Sequence, residues 1–179
     1  REPQTRTYVH EHGSVEVYLE PHRPPDHLIL VSATDVARHL VRLGRRLGYG
    51  VSLVEPREGR VEPGDRRSTL VFDRLDVVHL DDATSIIFTD HDAPGIGALL
   101  AHALRSPARF IGVMGSRRHV GPYVEDLRAM GFGDDDLARI RSPLGLDLGG
   151  RTPEEIALSI AAGIVAARHG RDGGWLDRR

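Results

Sequence analysis

Short apolar runs alternate along this chain with segments in which apolar residues recur every three or four positions. The runs predict strands at 27–31, 51–54, 85–89 and 109–114, since continuous apolar runs are typical of strands buried on both faces. The recurring pattern predicts helices at about 35–47, 96–104, 116–130, 134–140 and 153–168. Strands that alternate with helices favour a parallel sheet covered on both sides. The predicted fold class is an α/β, Rossmann-like three-layer sandwich with a mostly parallel sheet.

Three other segments have weaker patterns. Residues 15–19 alternate between apolar and polar and predict a short, half-buried strand within a leader that covers 1–26. Residues 56–69 are polar and contain proline and glycine, which predicts a loop. Residues 77–80 form a candidate short strand. The last helix has the clearest start, with Thr152 as N-cap, Pro153 in the first turn and Glu155 completing a capping box.

Composition limits the classes of function. The chain has 179 residues, of which 40% are hydrophobic and 28% charged, as expected for one globular domain. A net charge of −2 gives no bulk electrostatic case for binding nucleic acid or an anionic membrane. The absence of cysteine excludes disulfides, thiolate nucleophiles and cysteine-based zinc sites. No apolar run approaches the roughly 20 residues of a membrane span, no signal peptide is visible, and we expect a cytoplasmic protein.

The turn after the first strand of the predicted sheet carries Ser32, Ala33, Thr34 and Asp35, with Ala37 just beyond. A dinucleotide-binding fold has Gly-x-Gly-x-x-Gly/Ala here, and two of these glycines are replaced, by Ser32 and Thr34. A β-branched threonine obstructs the close approach of pyrophosphate to the backbone, and Asp35 competes with an anion for the helix N-terminus. Two interpretations remain: a structural turn that has lost dinucleotide binding, or a reshaped pocket whose hydroxyls bind a smaller group.

Charged residues follow the second strand of the predicted sheet. Glu55 lies 23 positions after Ser32, where an acidic residue binds the ribose 2′-hydroxyl in NAD-binding proteins. Arg57 is close enough in sequence to receive a phosphate. The alternative is that both residues are solvated loop charges, which is the more common state of such side chains.

Two further groups lie at predicted strand ends. Thr89-Asp-His-Asp92 follows a central strand, and Thr89 and His91 are candidates for a ligand site, because ligands bind at the carboxyl ends of parallel strands. Alternatively, the aspartates cap the next helix. Gly115-Ser116-Arg117-Arg118 opens a predicted helix, where cations oppose the helix dipole unless an anion is present. This group predicts an anion site, unless the arginines pair with Glu125 or Asp126.

The remaining histidines are scattered, and no pair has the spacing of a metal-binding helix. We therefore predict no metal site, and no residue is convincing as a catalytic one.

Two long motifs carry a family resemblance: Phe110-Ile-Gly-Val-Met-Gly-Ser-Arg-Arg118 and Ser142-Pro-Leu-Gly-Leu-Asp-Leu-Gly-Gly-Arg-Thr-Pro-Glu-Glu-Ile156. They resemble the C-terminal Rossmann-like domain of xanthine dehydrogenase accessory proteins, the XdhC/CoxI-like family. The resemblance implies an accessory factor, rather than an enzyme, that binds molybdenum cofactor, supports its sulfuration and inserts it into xanthine dehydrogenase or a related molybdenum hydroxylase. A cysteine desulfurase is a further partner that it suggests, and homodimerisation is compatible with it.

The resemblance also implies domain bounds for the chain and roles for the residues of the site. Residues 27–179 would form the Rossmann-like domain, and 1–26 would be the end of, or the linker from, a separate N-terminal domain. Ala33, Thr34 and Asp35 would line the floor of the crevice, Arg117 and Arg118 would meet phosphate, and Thr89 and His91 would lie beside the pterin or sugar.

The chain departs from the family in two places. The family has Gly-Ala-Gly-His-Val-Ala at the first turn, where this chain has Ser32-Ala-Thr-Asp-Val-Ala37, and Thr-His-Asp where this chain has Thr89-Asp-His91. The alternatives are an NAD(P)-binding oxidoreductase, which the degenerate glycine motif disfavours, and a partner-docking domain with a vestigial nucleotide pocket.

Overall fold

The computed structural model describes residues 3–20, 24–115 and 123–177. Within these ranges the strands are β1 (Gln4–His10), β2 (Gly13–Leu19), β3 (His27–Val31), β4 (Gly50–Val54), β5 (Leu70–Phe72), β6 (Thr84–Phe88), β7 (Phe110–Val113) and β8 (Ile140–Arg141). The helices are α1 (Asp35–Arg46), α2 (Pro63–Ser68), α3 (Ile96–Arg105), α4 (Tyr123–Ala129), α5 (Asp134–Leu137) and α6 (Pro153–Arg168). None of the described helices is long and apolar enough to cross a membrane.

The main sheet has six strands in the order β5-β4-β3-β6-β7-β8, and every neighbouring pair is parallel. The chain therefore builds outward from β3 in one direction, returns to the centre, and builds outward in the other direction from β6. This is the strand order of a doubly wound dinucleotide-binding sheet. The predicted Rossmann-like fold class is confirmed.

The core lies on both faces of the sheet, because side chains alternate along each buried strand. On β3, Leu28 and Leu30 pack against α1 and α6, whereas Ile29 and Val31 pack toward α3 and α4. All four of these side chains are at most 2% exposed. This continuous burial explains why β3 reads as an unbroken apolar run in the sequence.

The last helix begins as its sequence predicts. The Thr152 hydroxyl accepts a hydrogen bond from the Glu155 amide at 3.3 Å, and the Glu155 carboxylate accepts one from the Thr152 amide at 3.1 Å. These two bonds form the capping box, with Pro153 in the first turn. The capping box fixes the start of α6, and α6 in turn packs against α1.

The segment between β4 and β6 differs from its prediction. Residues 56–69, expected to be a loop, contain α2, whose start is capped by Glu62 and Asp65. The candidate strand at 77–80 is wrong: this segment is irregular, and the third strand of the sheet is instead β5. β5 consists of the three apolar residues Leu70–Phe72 at the edge of the sheet, with Leu70 68% exposed, and this run is shorter than the runs of the central strands.

Smaller differences occur near the ends of the chain. The leader forms a hairpin of β1 and β2 rather than one short strand, and the largely polar sequence of β1 explains why it was missed. The helix expected at 134–140 ends at Leu137, since Ile140 belongs to β8. Of the helix expected at 116–130, α4 covers 123–129, and residues 116–122 lie outside the described part of the chain.

Candidate functional site

The candidate site lies at the carboxyl ends of β3, β4 and β6, where the strand order reverses. Open α/β sheets bind ligands in the crevice at this point, because the loops after the two central strands separate in opposite directions. The loops that follow these strands carry Ser32–Asp35, Glu55–Arg60 and Thr89–Asp92. The fold therefore brings together three of the four segments that the sequence singles out.

The turn after β3 keeps a glycine-like backbone without a glycine. Ser32 has a φ of 83°, in the left-handed region, and is 1% exposed. Its amide donates a hydrogen bond to the carbonyl of Val54 at 2.8 Å, which extends the pairing of β3 with β4. A non-glycine residue in this conformation costs on the order of 1 kcal/mol or more. The turn has therefore kept the geometry of the dinucleotide-binding motif but not its residues.

Thr34, at the position of the second glycine, serves as the N-cap of α1. Its hydroxyl accepts a hydrogen bond from the Ala37 amide at 3.1 Å and donates one to the Thr89 hydroxyl at 2.9 Å. The Thr89 hydroxyl in turn donates to the carbonyls of Val31 and Ser32, at 3.1 and 3.0 Å. Thr89 is fully buried, so its side chain ties the two halves of the sheet together.

The Glu55 carboxylate occupies the position that a ligand anion would take at this turn. Its Oε2 accepts a hydrogen bond from the Ala33 amide at 2.8 Å, and the whole residue is 3% exposed. Burial alone would raise the pKa of Glu55, but hydrogen bonds from Arg57 and from the Ala33 amide outweigh it and hold that pKa below its ordinary value. Glu55 is therefore a buried, charged carboxylate bound to the turn.

Arg57 links Glu55 to the loop after β6. Its Nε and Nη2 donate to the two oxygens of Glu55 at 2.7 and 2.9 Å, and its Nη1 donates to Asp90 at 2.8 Å. The hydrogen bonds to Glu55 are the largest cause of the raised pKa of Arg57. A guanidinium held by two carboxylates in this way joins the loop after β4 to the loop after β6 across the crevice.

A second guanidinium, that of Arg60, faces the same two carboxylates from a greater distance. Its Nε lies 4.0 Å from Glu55 and its Nη2 lies 3.8 Å from Asp90. Its side chain is 46% exposed, compared with 24% for Arg57. Sequence analysis missed Arg60 and included Asp90 only within the Thr89–Asp92 segment, because only the curvature of the loop places the two residues beside Glu55.

The other predicted residues lie at the edge of this arrangement or beyond it. The exposed Asp35 pairs with Arg38 at 3.0 Å, and His91 lies 3.4 Å from the carboxylate of its neighbour Asp92. Gly115 follows β7 and is half-buried. Ser116, Arg117 and Arg118 lie outside the described residues, so the predicted anion site there stays a prediction.

No metal centre is formed by the residues that the structure describes. Nowhere in 3–20, 24–115 or 123–177 do three histidine, aspartate or glutamate side chains converge in a way that would hold an ion. The described charged side chains of the crevice form ion pairs with one another instead.

Comparison with known proteins identifies the family of this chain and proteins that resemble it. Residues 28–164 match the model of the XdhC Rossmann domain. The chain belongs to this family. The XdhC match begins in β3 and ends within α6, so it includes every strand of the main sheet and the whole of the crevice.

Two proteins illustrate the relatives of this XdhC domain. The chain is 25% identical over 174 residues to the uncharacterized protein YqeB of Escherichia coli strain K12. A crystal structure described as a xanthine dehydrogenase from Bacillus halodurans matches with a TM-score of 0.67 at 21% identity, which shows a shared fold. The match covers 92% of this chain but 31% of YqeB, and 90% of this chain but 47% of the Bacillus chain. The XdhC domain described here therefore spans only part of each relative's length.

Proposed function

We propose that this chain is the cofactor-binding domain of a xanthine dehydrogenase accessory factor, and that it holds molybdenum cofactor in the crevice beside Glu55, Arg57 and Asp90. The observation that carries the proposal is the set of paired charges at the switch point of an XdhC Rossmann domain. The family supplies the accessory role, and the charges supply a surface for a polar, phosphate-bearing ligand.

The residues of the crevice fit the chemistry of this cargo. A pterin presents N–H donors along one edge, which carboxylates such as Asp90 accept, and its phosphate is matched by guanidinium groups. Asp90 is partly exposed, with 21% of its side chain accessible, and Arg60 is more exposed still. A carboxylate and a guanidinium are therefore both accessible to a ligand in the crevice.

The same geometry disfavours the dinucleotide-binding alternative. An NAD(P) pyrophosphate needs free amides at the turn after β3, but the Ala33 amide is bound by Glu55 and the Ala37 amide is bound by Thr34. Glu55 is also engaged by Arg57, whereas a ribose diol would need its oxygens. Because these amides and carboxylate oxygens are already bound, we expect other groups of the crevice to hold the cargo.

The client of this accessory factor would be xanthine dehydrogenase or a related molybdenum hydroxylase, and a cysteine desulfurase would supply sulfur to the cofactor while it is held. In this role the domain protects and transfers the cofactor and catalyses no reaction by itself. Its residues would bind and orient the cargo through the charged groups of the crevice.

The partner-docking alternative has one observation in its favour. The β1–β2 hairpin leaves Tyr8, Val15 and Tyr18 each more than half exposed, at 54%, 52% and 63%. An isolated two-stranded hairpin is marginally stable in water, so such a surface is typical of a contact with another polypeptide. Docking and cargo binding use different surfaces and are compatible with one another.

The test is anaerobic calorimetric titration of molybdenum cofactor into the purified chain. Binding by the wild type would support a cofactor-holding domain, and a loss of about tenfold or more in Arg117→Ala/Arg118→Ala would show that these two arginines contribute to it. The matched control is Arg66→Ala/Arg67→Ala, which removes two consecutive exposed arginines of α2. Absence of binding by a folded wild-type chain would contradict the proposal and leave partner docking as the function of this domain.

A further inference from the structure

Arg57 and Arg60 face the same two carboxylates, but within the described residues only Arg57 donates hydrogen bonds to them. Arg57 donates through Nε and both Nη atoms to Glu55 and Asp90, at 2.7 to 2.9 Å. Its guanidinium is thus engaged on every nitrogen. Removing it from Glu55 would leave a buried carboxylate without its cation, which is strongly unfavourable. Arg57 is therefore a structural residue of the crevice.

Arg60 has the opposite properties. Within the part of the chain that the structure describes, its guanidinium donates no hydrogen bond, and its nearest carboxylate oxygens lie 3.8 and 4.0 Å away. Its backbone is nevertheless held, since the Arg60 carbonyl accepts a hydrogen bond from Arg38 at 3.3 Å. Gly59, with a φ of 77°, turns the loop back so that Arg60 returns to the carboxylates that Arg57 already binds. A fixed backbone with a loosely ion-paired guanidinium, whose N–H groups stay available for hydrogen bonds, is suited to binding an anion.

Protein groups already bind two of the amides at the usual anion site of the fold. The Glu55 carboxylate binds the Ala33 amide at 2.8 Å, and the Thr34 hydroxyl binds the Ala37 amide at 3.1 Å. A ligand phosphate at the N-terminus of α1 would lie close to the buried negative charge of Glu55. Binding of a ligand anion at this turn is therefore disfavoured.

We propose that the anionic group of the ligand binds Arg60 at the mouth of the crevice, while Glu55 permanently occupies the turn that binds pyrophosphate in dinucleotide-binding proteins. This rests on the proposed function, in that it takes the crevice to be the cargo site. It adds the position of the phosphate and the ligand class: molecules with a terminal phosphate are accepted, and those that need an internal pyrophosphate on the turn are excluded.

The test uses inorganic phosphate as the probe and nuclear magnetic resonance of the ¹⁵N-labelled chain, at constant ionic strength. Phosphate is expected to shift the Arg60 Nε–H signal and the amides of residues 58–61, and to leave the Ala33 and Ala37 amides unchanged. In Arg60→Gln we expect the phosphate affinity to fall about tenfold, since one charge-assisted contact is lost. Arg67→Gln, an exposed arginine of the neighbouring α2, is the matched control and should bind like the wild type.

The outcomes separate this inference from the proposed function. Shifts at Ala33 and Ala37 instead of Arg60, or unchanged phosphate affinity in Arg60→Gln, would overturn the inference. The same variants are then titrated with molybdenum cofactor. Equal cofactor binding by Arg60→Gln and the wild type would overturn the inference and leave the proposed function standing. Phosphate binding at Arg60 without any cofactor binding would sustain the anion site and refute the proposed cargo.

Discussion

The hydroxyl of Thr34 donates a hydrogen bond to the hydroxyl of Thr89 at 2.9 Å, across the point where the strand order of the sheet reverses. Thr34 follows β3 and Thr89 follows β6, so the bond joins the loops of the two halves of the fold. In a dinucleotide-binding protein this is the crevice that the ligand crosses. Here the two threonines form the floor of the crevice. The loops after β4 and β6 carry its charged residues.

This relationship predicts that Thr89→Val destabilises the domain although it preserves the shape of the side chain. Thr89 is fully buried, and valine would leave the Thr34 hydroxyl without its acceptor. We expect a loss of about 1–2 kcal/mol, or a fall of about 3–6 °C in the midpoint of thermal unfolding. Thr5→Val, on the exposed hairpin, is the control. An unchanged midpoint for Thr89→Val would show that the hydroxyl does not hold the two halves together.

At Ser32 we predict a substitution that increases the stability of the domain. Its φ of 83° is costly for a residue with a Cβ, whereas glycine adopts it freely. After allowing for the greater freedom of glycine in the unfolded chain, Ser32→Gly should stabilise the domain by about 0.5–1 kcal/mol. Ser32→Val should destabilise it by about 2 kcal/mol or more, because a β-branched residue fits this conformation poorly. Chemical denaturation measures both, and a less stable glycine variant would contradict the argument.

The charge of Glu55 predicts a dependence of stability on pH. The pKa of Glu55 is lowered in the folded state, so its stabilising effect is complete above the ordinary value of 4.5 and is lost as the pH falls through the lower, folded value. Glu55→Gln should therefore be less stable than the wild type at neutral pH, and this difference should shrink as the pH falls below about 4.5. Denaturation curves between about pH 7 and pH 3 measure the difference.

The control for this pH series is Glu58→Gln, which removes an exposed carboxylate from the same loop. It should follow the wild-type curve throughout. If Glu55→Gln also ran parallel to the wild type at every pH, the Glu55 carboxylate would not be the group that gains stability from Arg57 and the Ala33 amide.

The sequence predicts the central strands and helices well because their patterns report burial directly. Leu28–Val31 is apolar at every position since β3 is covered on both faces, and Thr152, Pro153 and Glu155 define the start of α6 through local hydrogen bonds. In contrast, β5 is a short edge strand that, among the described strands, pairs only with β4. Its pairing is decided by tertiary structure, and its run of three apolar residues, Leu70–Phe72, is too short to predict a strand.

The candidate site was predictable in position but not in its contacts. The spacing from Ser32 to Glu55 places an acidic residue at the end of β4, and the structure has it there. That its carboxylate binds the Ala33 amide and Arg57, rather than facing solvent, depends on how the 56–60 loop curves. The same curvature brings Arg60 and Asp90 together, 30 residues apart in sequence, and no local pattern indicates it.

Gly145, in the loop that leads to α6, should tolerate no side chain. Its φ is 98°, and a Cβ there would meet the Ser159 hydroxyl and would lie 3.1 Å from the Ile160 amide nitrogen in α6. Gly145→Ala should destabilise the domain by about 2–4 kcal/mol, combining backbone strain with overpacking. The expected fall in unfolding midpoint is about 5–15 °C. Gly64→Ala, where a Cβ meets nothing within 4 Å, is the control and should unfold near the wild-type midpoint.

Because two amides of the turn after β3 are already bound by protein groups, we predict that nicotinamide dinucleotides do not bind. A ligand at 100 times its dissociation constant raises the free energy of unfolding by about 2.7 kcal/mol, which is readily seen in a thermal shift. We expect no shift of the unfolding midpoint with millimolar NAD⁺, NADH, NADP⁺ or NADPH, because Glu55 and Thr34 already bind the Ala33 and Ala37 amides. A clear upward shift with any of the four would mean that Glu55 leaves the turn, and would favour a dinucleotide-binding function over the proposed one.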